Sequence, residues 1–356
     1  MREIVPRMVA WESTRACNLA CVHCRASAQV EHHSQQLSTS EVLRVVDEIA
    51  EFSRPILIIT GGEPLMRADI FDIASYATRR GLRVVMSPNG TLLSSEVVQK
   101  MKASGVMRIS VSLDGSSPER NDTFRQVPGA FQAATRGLAY AREGGLPFQI
   151  NTTVTRRNLD DLPDMLQTVI DLGAVTWDVF MLVPTGRGKI EDEVTPEQYE
   201  QVLDWIYEVS RKAPIPVKVT CGPHYVRIFR QRARAEGRSM REGEGPTGQG
   251  LSGRGPAGCL AGKGFCFISH TGEVFPCGYF PIPAGNVRRQ HFREIYQESE
   301  LFATLRDATK LKGKCGHCEY RVVCSGCRAR ALGARGDYME EEPFCIYEPR
   351  GVRSLS

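Results

Sequence analysis

Nowhere in this chain is there an apolar run long enough to cross a bilayer. The opening Met1-Arg2-Glu3-Ile4-Val5-Pro6 also lacks the continuous apolar stretch of a secretory signal, so the expected compartment is the cytoplasm. A surplus of one charge is missing too. Lysine and arginine outnumber aspartate and glutamate by a formal +4, with no arginine-rich block or basic stripe, so nucleic acid is not expected as a partner. There are no internal repeats. Low complexity is confined to 237–258, where eight of 22 residues are glycine and two are proline, the composition of a flexible linker. What the chain has in quantity is cysteine. Twelve occur in 356 residues, and in a reducing compartment metal ligation explains them better than disulfides do.

With 42% hydrophobic and 24% charged residues, the chain has room for one large domain and a smaller one. From residue 5 to about 215, short β-branched runs alternate with amphipathic stretches. The pattern predicts strands at Met8–Glu12, Pro55–Thr60, Arg83–Ser87, Arg108–Leu113, Phe148–Val154 and Trp177–Val183. Helices are predicted at Ser38–Phe52 (Ser38 and Glu41 forming a capping box), Asp69–Arg80, Ser94–Ala103, Gly129–Glu143, Leu159–Leu172 and Thr195–Lys212. Six strand–helix units in sequence predict an α/β fold, a parallel sheet wound with helices as a partial (β/α)6 TIM-like barrel. Active residues would then stand at the carboxyl ends of its strands. The expected domains are a barrel over 1–215, a bridging segment and glycine-rich linker over 216–258, and a cysteine-rich domain over 259–356.

Cys17, Cys21 and Cys24 follow directly on the first strand in C-x3-C-x2-C spacing. Three thiolates on one loop can hold three corners of a [4Fe–4S] cube. The fourth iron is then left open, as in catalytic metal sites. A partial zinc site or buried free thiols are the alternatives, although His23 lies between two ligands and turns to the same metal only with difficulty. A second region holds Cys259, Cys266 and Cys277, the run Cys315-x2-Cys318-x5-Cys324-x2-Cys327, and Cys345. Five residues between the two C-x2-C pairs are too few for one zinc ribbon. Eight thiolates equal the requirement of two fully ligated cubes, with one or two structural zincs as the alternative.

The first cysteine segment resembles the signature of the radical S-adenosylmethionine (SAM) superfamily. That resemblance implies that SAM chelates the open iron through its amino and carboxylate groups and is cleaved reductively to a 5′-deoxyadenosyl radical. It places His23 near the adenine. Gly61-Gly62-Glu63-Pro64 matches the family motif for the methionyl amino group, with Glu63 in that role. Asn89, Ser110 and Asp114 stand at later strand ends, where the resemblance implies contacts to the ribose and the methionyl carboxylate. Asn151, Thr153 and Val183 are further cofactor-binding candidates. Taken singly, each of these also reads as an ordinary strand end or turn.

The second region resembles the SPASM extension of many such enzymes, carried by Gly272-x4-Cys277 and the run Cys315 to Cys327. The last spacing of that run is two residues, where the family usually has three. By this resemblance Cys259, Cys266, Cys277 and Cys327 hold an inner auxiliary cluster. Cys315, Cys318, Cys324 and Cys345 hold an outer one, which makes three [4Fe–4S] clusters in all. Cys266, between Phe265 and Phe267, also reads as a core thiol.

Three longer phrases, Gly258–Cys277, Lys312–Arg321 and Val22–Ser27, resemble the branch of these enzymes that works on haem-type tetrapyrroles, and within it haem b synthases. The implied reaction is oxidative decarboxylation of two propionates of iron-coproporphyrin III to vinyl groups, giving haem b. The implied partner is a low-potential electron donor of flavodoxin or ferredoxin type, and the expected state is a monomer. Arg125, Arg187, Lys189, Arg227 and Lys263 are candidates for binding substrate carboxylates, each also readable as a solvated surface charge. Cys221, His224 and Tyr225 follow a strand-like run and are catalytic candidates, as ligands of the substrate iron or as a proton source, although a lone cysteine is often a small buried hydrophobe. Another tetrapyrrole enzyme, a siroheme-branch decarboxylase or a haem d1 maturase, stays open. So does a SPASM peptide maturase, against which the cluster motif begins as early as residue 17. A three-cluster electron carrier would need neither an open iron nor the Gly61–Pro64 motif.

Overall fold

The computed structural model describes residues 4–31, 35–237 and 258–350. The expected linker lies almost wholly outside the described residues. The described strands are β1 Met8–Glu12, β2 Ile56–Thr60, β3 Arg83–Met86, β4 Ile109–Ser112, β5 Phe148–Val154, β6 Thr176–Met181, β7 Val217–Thr220, β8 Phe265–Ile268, β9 Glu273–Phe275 and β10 Gly285–Asn286. The helices α1 Thr39–Phe52, α2 Ile70–Arg79, α3 Ser95–Ala103, α4 Pro118–Arg125, α5 Ala130–Glu143, α6 Leu162–Asp171, α7 Pro196–Ser210 and α8 Tyr225–Ala235 connect or follow the first seven. Beyond them come α9 Phe292–Glu298, α10 Glu300–Arg306, α11 Gly313–His317 and α12 Arg328–Arg335.

All ten strands join one sheet in the order β10-β9-β8-β1-β2-β3-β4-β5-β6-β7. β1 to β7 run parallel, each beside its sequence neighbour. Alternation along the strand divides the two faces. On β5, Ile150, Thr152 and Val154 are buried on the helix side, while Gln149, Asn151 and Thr153 face the barrel interior.

The expected six units are extended by a seventh, β7 with α8, in the stretch read as a bridge. The cysteine-rich part also returns to the same sheet: β8 pairs parallel with β1, Met8 opposite Phe265 through Trp11 opposite Ile268. β7 and β10 form the two edges, so the sheet curves as a partial barrel without closing. The extension docks on α1. Phe52 meets Phe292 at 6.3 Å and Tyr296 at 6.1 Å, and the Phe292 amide donates to the Glu48 carboxylate at 2.8 Å.

The capping box at the start of α1 is present as read, with Ser38 and Glu41 reciprocally bonded. α4 was not expected, because Pro118-Glu-Arg-Asn-Asp-Thr-Phe-Arg125 has no apolar stripe. Ser117 caps it and Pro118 occupies its first turn, where the missing N–H costs nothing. Its last carbonyls have a task outside the helix, described next.

Candidate functional site

The loop after β1 is tied down from several sides. The Cys17 amide donates to Gln29 O at 2.7 Å, and Ala20 and Val22 donate to Arg125 O and Phe124 O at the end of α4, at 3.2 and 2.9 Å. Cys17, Cys21 and Cys24 pack into one small cluster with Leu19, Ala26, Ala28 and Ala130. Donors point at the sulfurs. The Leu19 and Ala28 amides lie 3.4 Å from Cys17 Sγ and Cys24 Sγ, and the Arg125 guanidinium lies 3.5 Å from Cys21 Sγ. Burial pushes the Cys17 thiol up to about 11, so its thiolate would need a metal to form at neutral pH. Among the described residues no three His, Cys, Asp or Glu side chains converge to hold a single metal ion. A cubane cluster instead takes each thiolate on a separate iron. Three converging thiols ringed by N–H donors fit that group.

Gly61 and Gly62 extend β2 against this loop. Gly62 donates to Thr14 O and Glu63 to Ala16 O, both at 2.7 Å. A Cβ on Gly62 would lie 2.3 Å from Ala16 O, and one on Gly61 2.6 Å from Thr14 O, so only glycine permits the approach. The Glu63 carboxylate accepts from Asn89 N at 2.6 Å and Leu65 N at 3.0 Å, yet burial still lifts its pKa to about 7. Gly61, Gly62, Asn89, Ser110, Asn151 and Val183 line the barrel cavity. Glu63 and Pro64 lie behind that lining.

Asp114 requires a correction, since it does not reach the cavity. It is fully buried and salt-bridged to Arg125 at 2.6 Å and His23 at 3.2 Å, while accepting from Thr153 N at 2.7 Å. Burial alone would raise its pKa, but Arg125 and His23 hold it at about 2. Asp114 therefore orients His23 and Arg125, the residues that do face the cavity.

The cavity is large, about 2180 Å³. The three cysteines of the β1 loop line one part of it, and Cys221, Cys259, Cys277 and Cys327 line another. Cys221 and Cys277 pack against a cluster formed by Val183, Phe280, Cys327 and Ala329. A separate pocket gathers Cys315, Cys318, Cys324 and Cys345, so the expected outer set comes together. The expected inner set does not. Cys266 lies on β8 opposite Val9, fully buried in the main apolar core, because alternation along β8 turns it away from the cavity that Phe265 and Phe267 face.

The proposed substrate and catalytic residues also need correction. Arg125 is committed to Asp114 and the Cys21 sulfur. Arg187 braces the cluster loop, donating to Cys21 O and Ala28 O at 2.8 Å each. Arg227 pairs with Glu200 and lines the outer cysteine pocket. Lys263 faces the cavity but donates to Ser325 Oγ at 2.5 Å. Lys189 is exposed. His224 lies under Tyr199 at 4.7 Å, buried beside the outer cysteines and away from the cavity. Tyr225 packs in the main core with one edge on the cavity wall.

Three features escaped the sequence reading. Glu12 is fully buried and pairs with Arg25 at 2.8 Å and His270 at 2.7 Å, joining the β1 loop to the extension. Arg330 donates to Cys221 O at 3.2 Å and Leu182 O at 2.9 Å while pairing with Glu193 and Glu342. Finally, Arg83, Arg108 and Lys218 stand at the amino ends of β3, β4 and β7 and line the other end of the cavity with Arg54, Arg230 and Arg234. Among the described residues none of these six is in an ion pair. A charged residue at a strand end was the available signal for Glu12 and for the cations; the Arg330 contacts to Leu182, Glu193 and Cys221 had none, being separated by more than a hundred residues.

Residues 11–169 match the profile of the radical SAM superfamily, and residues 259–319 that of the SPASM iron–sulfur cluster-binding domain. An AdoMet-dependent heme synthase of Methanosarcina barkeri is 52% identical over 344 residues, covering 97% of each chain. An Fe-coproporphyrin III synthase of the same organism is 32% identical, over 95% of this chain and 87% of that one. Among solved structures, SuiB of Streptococcus suis bound to S-adenosylmethionine superposes with a TM-score of 0.74 at 18% identity, over 97% of this chain and 78% of that chain, a likeness of fold.

Proposed function

The chain belongs to the radical SAM superfamily and carries a SPASM iron–sulfur extension, and from that premise we propose that it converts two propionates of iron-coproporphyrin III to vinyl groups, giving haem b. Cys17, Cys21 and Cys24 would hold the cluster that binds SAM, and the backbone at Gly61, Gly62 and Asn89 would cradle the SAM. When bound, that pair supplies a 5′-deoxyadenosyl radical able to take a hydrogen atom from the β-carbon of a propionate. The substrate radical then breaks its bond to the carboxylate carbon, leaving a vinyl group, CO₂ and one electron. Cys259, Cys277 and Cys327 would hold the acceptor for that electron on the facing wall.

The observation that carries this reading is the cavity itself. Small-molecule sites run to about 1,000 Å³, whereas this one of about 2180 Å³ has space for a macrocycle beside SAM. Its far end is lined by cations that, among the described residues, are in no ion pair, as suits a substrate with four carboxylates. The residues between them, such as Val85, Ile58 and Phe180, are apolar and suit a porphyrin face. The test is anaerobic incubation with SAM, a low-potential reductant and iron-coproporphyrin III, followed by mass spectrometry. The expected product is lighter by two formic-acid equivalents, with one 5′-deoxyadenosine formed per vinyl group. Release of 5′-deoxyadenosine with the porphyrin left intact would overturn the substrate assignment.

A further inference from the structure

Cys221 is the one cysteine that neither cysteine motif includes, and it lies outside the residues that match the SPASM profile. It follows β7 at the carboxyl end of a barrel strand. Its surroundings differ from those of a core thiol. The carbonyl of Cys221 is clamped from two sides, by Tyr199 Oη of α7 at 2.8 Å and by the Arg330 guanidinium of α12 at 3.2 Å. A barrel helix and an extension helix thus jointly fix its backbone, at a φ of +61° that few side chains other than glycine adopt readily. The thiol packs on the same apolar cluster as Cys277 and Cys327 and faces the same cavity wall as Cys259.

Cys266 is the internal control. It is fully buried in the main apolar core and is not among the residues that line the cavity. Cys221, by contrast, lines the cavity together with Cys259, Cys277 and Cys327.

We propose that Cys221 is the fourth thiolate of the inner auxiliary cluster, together with Cys259, Cys277 and Cys327, in the place expected for Cys266. The donor set suits a cube, with four sulfurs reaching from four separate segments toward one cavity wall. The consequence concerns mechanism. With all four irons held by the protein, no iron is open to the substrate. An electron would then pass to this cluster without a bond between cluster and porphyrin. The β7–α8 turn acquires a reason for its strained conformation, since it carries the ligand that ties the barrel to the extension.

The test uses the full chain, purified and reconstituted anaerobically as wild type, Cys221→Ala, Cys221→Ser and Cys266→Ala. Iron and acid-labile sulfide are counted per chain, and the dithionite-reduced protein is examined by electron paramagnetic resonance. Wild type and Cys266→Ala are expected to hold about twelve irons with the same spectrum. Cys221→Ala is expected to lose between one and four irons and the signal of one cluster, keeping the other two. Cys221→Ser keeps the side-chain shape and can offer an oxygen ligand, so a folded Ser variant should show a shifted cluster signal even where the Ala variant is insoluble. Full iron and an unchanged spectrum in Cys221→Ser, or a loss confined to Cys266→Ala, would overturn the assignment. The readout does not depend on which substrate is converted, so it can fail while the haem reading stands, and the reverse.

Discussion

Glu12 ends β1 five residues before the first cluster cysteine, and it is fully buried. Burial would raise its pKa, but the hydrogen bond from His270 and the charges of Arg25 and Arg15 hold it at about 2. A carboxyl group depressed in the folded state adds stability above its unfolded pKa of about 4.3 and loses it as pH falls toward 2. Glu12→Gln should therefore destabilise the protein at pH 7 by about 3 kcal/mol, because the buried carboxylate that Arg25 and His270 share is lost. The variant should also lose less stability than wild type between pH 5 and pH 3. Urea unfolding of the reconstituted protein at several pH values checks this, and parallel curves for the two proteins would assign the pairing no role. Residues of this kind are the least legible in a sequence. Gly62 was identified through its motif, yet the reason for it, an Ala16 carbonyl 2.3 Å from where a Cβ would sit, lies 46 positions away. Asp114 was placed at the right strand end and given the wrong neighbours, because a strand end says where a side chain starts and not which cations wait behind it.

At the scale of elements, periodicity was a good guide wherever one face was buried. β1 and β5 fall on the expected residues, and Ser38 caps α1 as read. α4 was missed because its packing is done by its carboxyl end, which holds the cluster loop through two carbonyls, and such contacts leave no apolar stripe. The run before Cys221 read as strand-like but was assigned to a bridge and not to the barrel, because only four residues separate Pro216 from Cys221. That strand brings Lys218 to the cavity near Arg108. Burial pushes the Lys218 pKa down, Asp178 on β6 pulls it back, and Arg108 pushes it down again. A bound carboxylate would relieve the repulsion between the two cations. Arg108→Gln and Lys218→Gln are each expected to raise the KM for iron-coproporphyrin III about tenfold, the cost of about one charge-assisted hydrogen bond. The rate of SAM cleavage at saturating porphyrin should stay within about twofold. An unchanged KM in both variants would place the propionates elsewhere.

Across the whole molecule, sites far apart in the chain share one cavity, and the contacts between them are charged. Arg25 follows Cys24, pairs with Glu12, stacks over Phe267 at 4.4 Å and reaches Gly278 O, the carbonyl next to Cys277, at 3.3 Å. One side chain thus runs from the β1 loop to the segment that carries Cys277. The sequence named both ends of that path through its motifs, but only folding brings them together. This arrangement separates two steps that a single site would merge. On the proposed reading, hydrogen abstraction would belong to the β1 loop, and removal of the leftover electron to the wall of Cys221, Cys259, Cys277 and Cys327. Cys277→Ala removes a proposed ligand from that wall and leaves the three cysteines of the β1 loop in place. It should still bind SAM and form 5′-deoxyadenosine with iron-coproporphyrin III present, at a rate within about threefold of wild type. Haem b, however, should fall by a hundredfold or more, about 2.7 kcal/mol of lost driving force or barrier. The substrate radical, unable to shed its electron, should instead take up one electron from the low-potential reductant and one proton from solvent. Deuterium would then appear in recovered iron-coproporphyrin III when the reaction is run in deuterated water. A Cys277→Ala protein that lacks the inner cluster by iron count yet makes haem b at the wild-type rate would refute the electron-acceptor role. A loss of 5′-deoxyadenosine equal to the loss of haem b would instead tie the wall to the abstraction step itself.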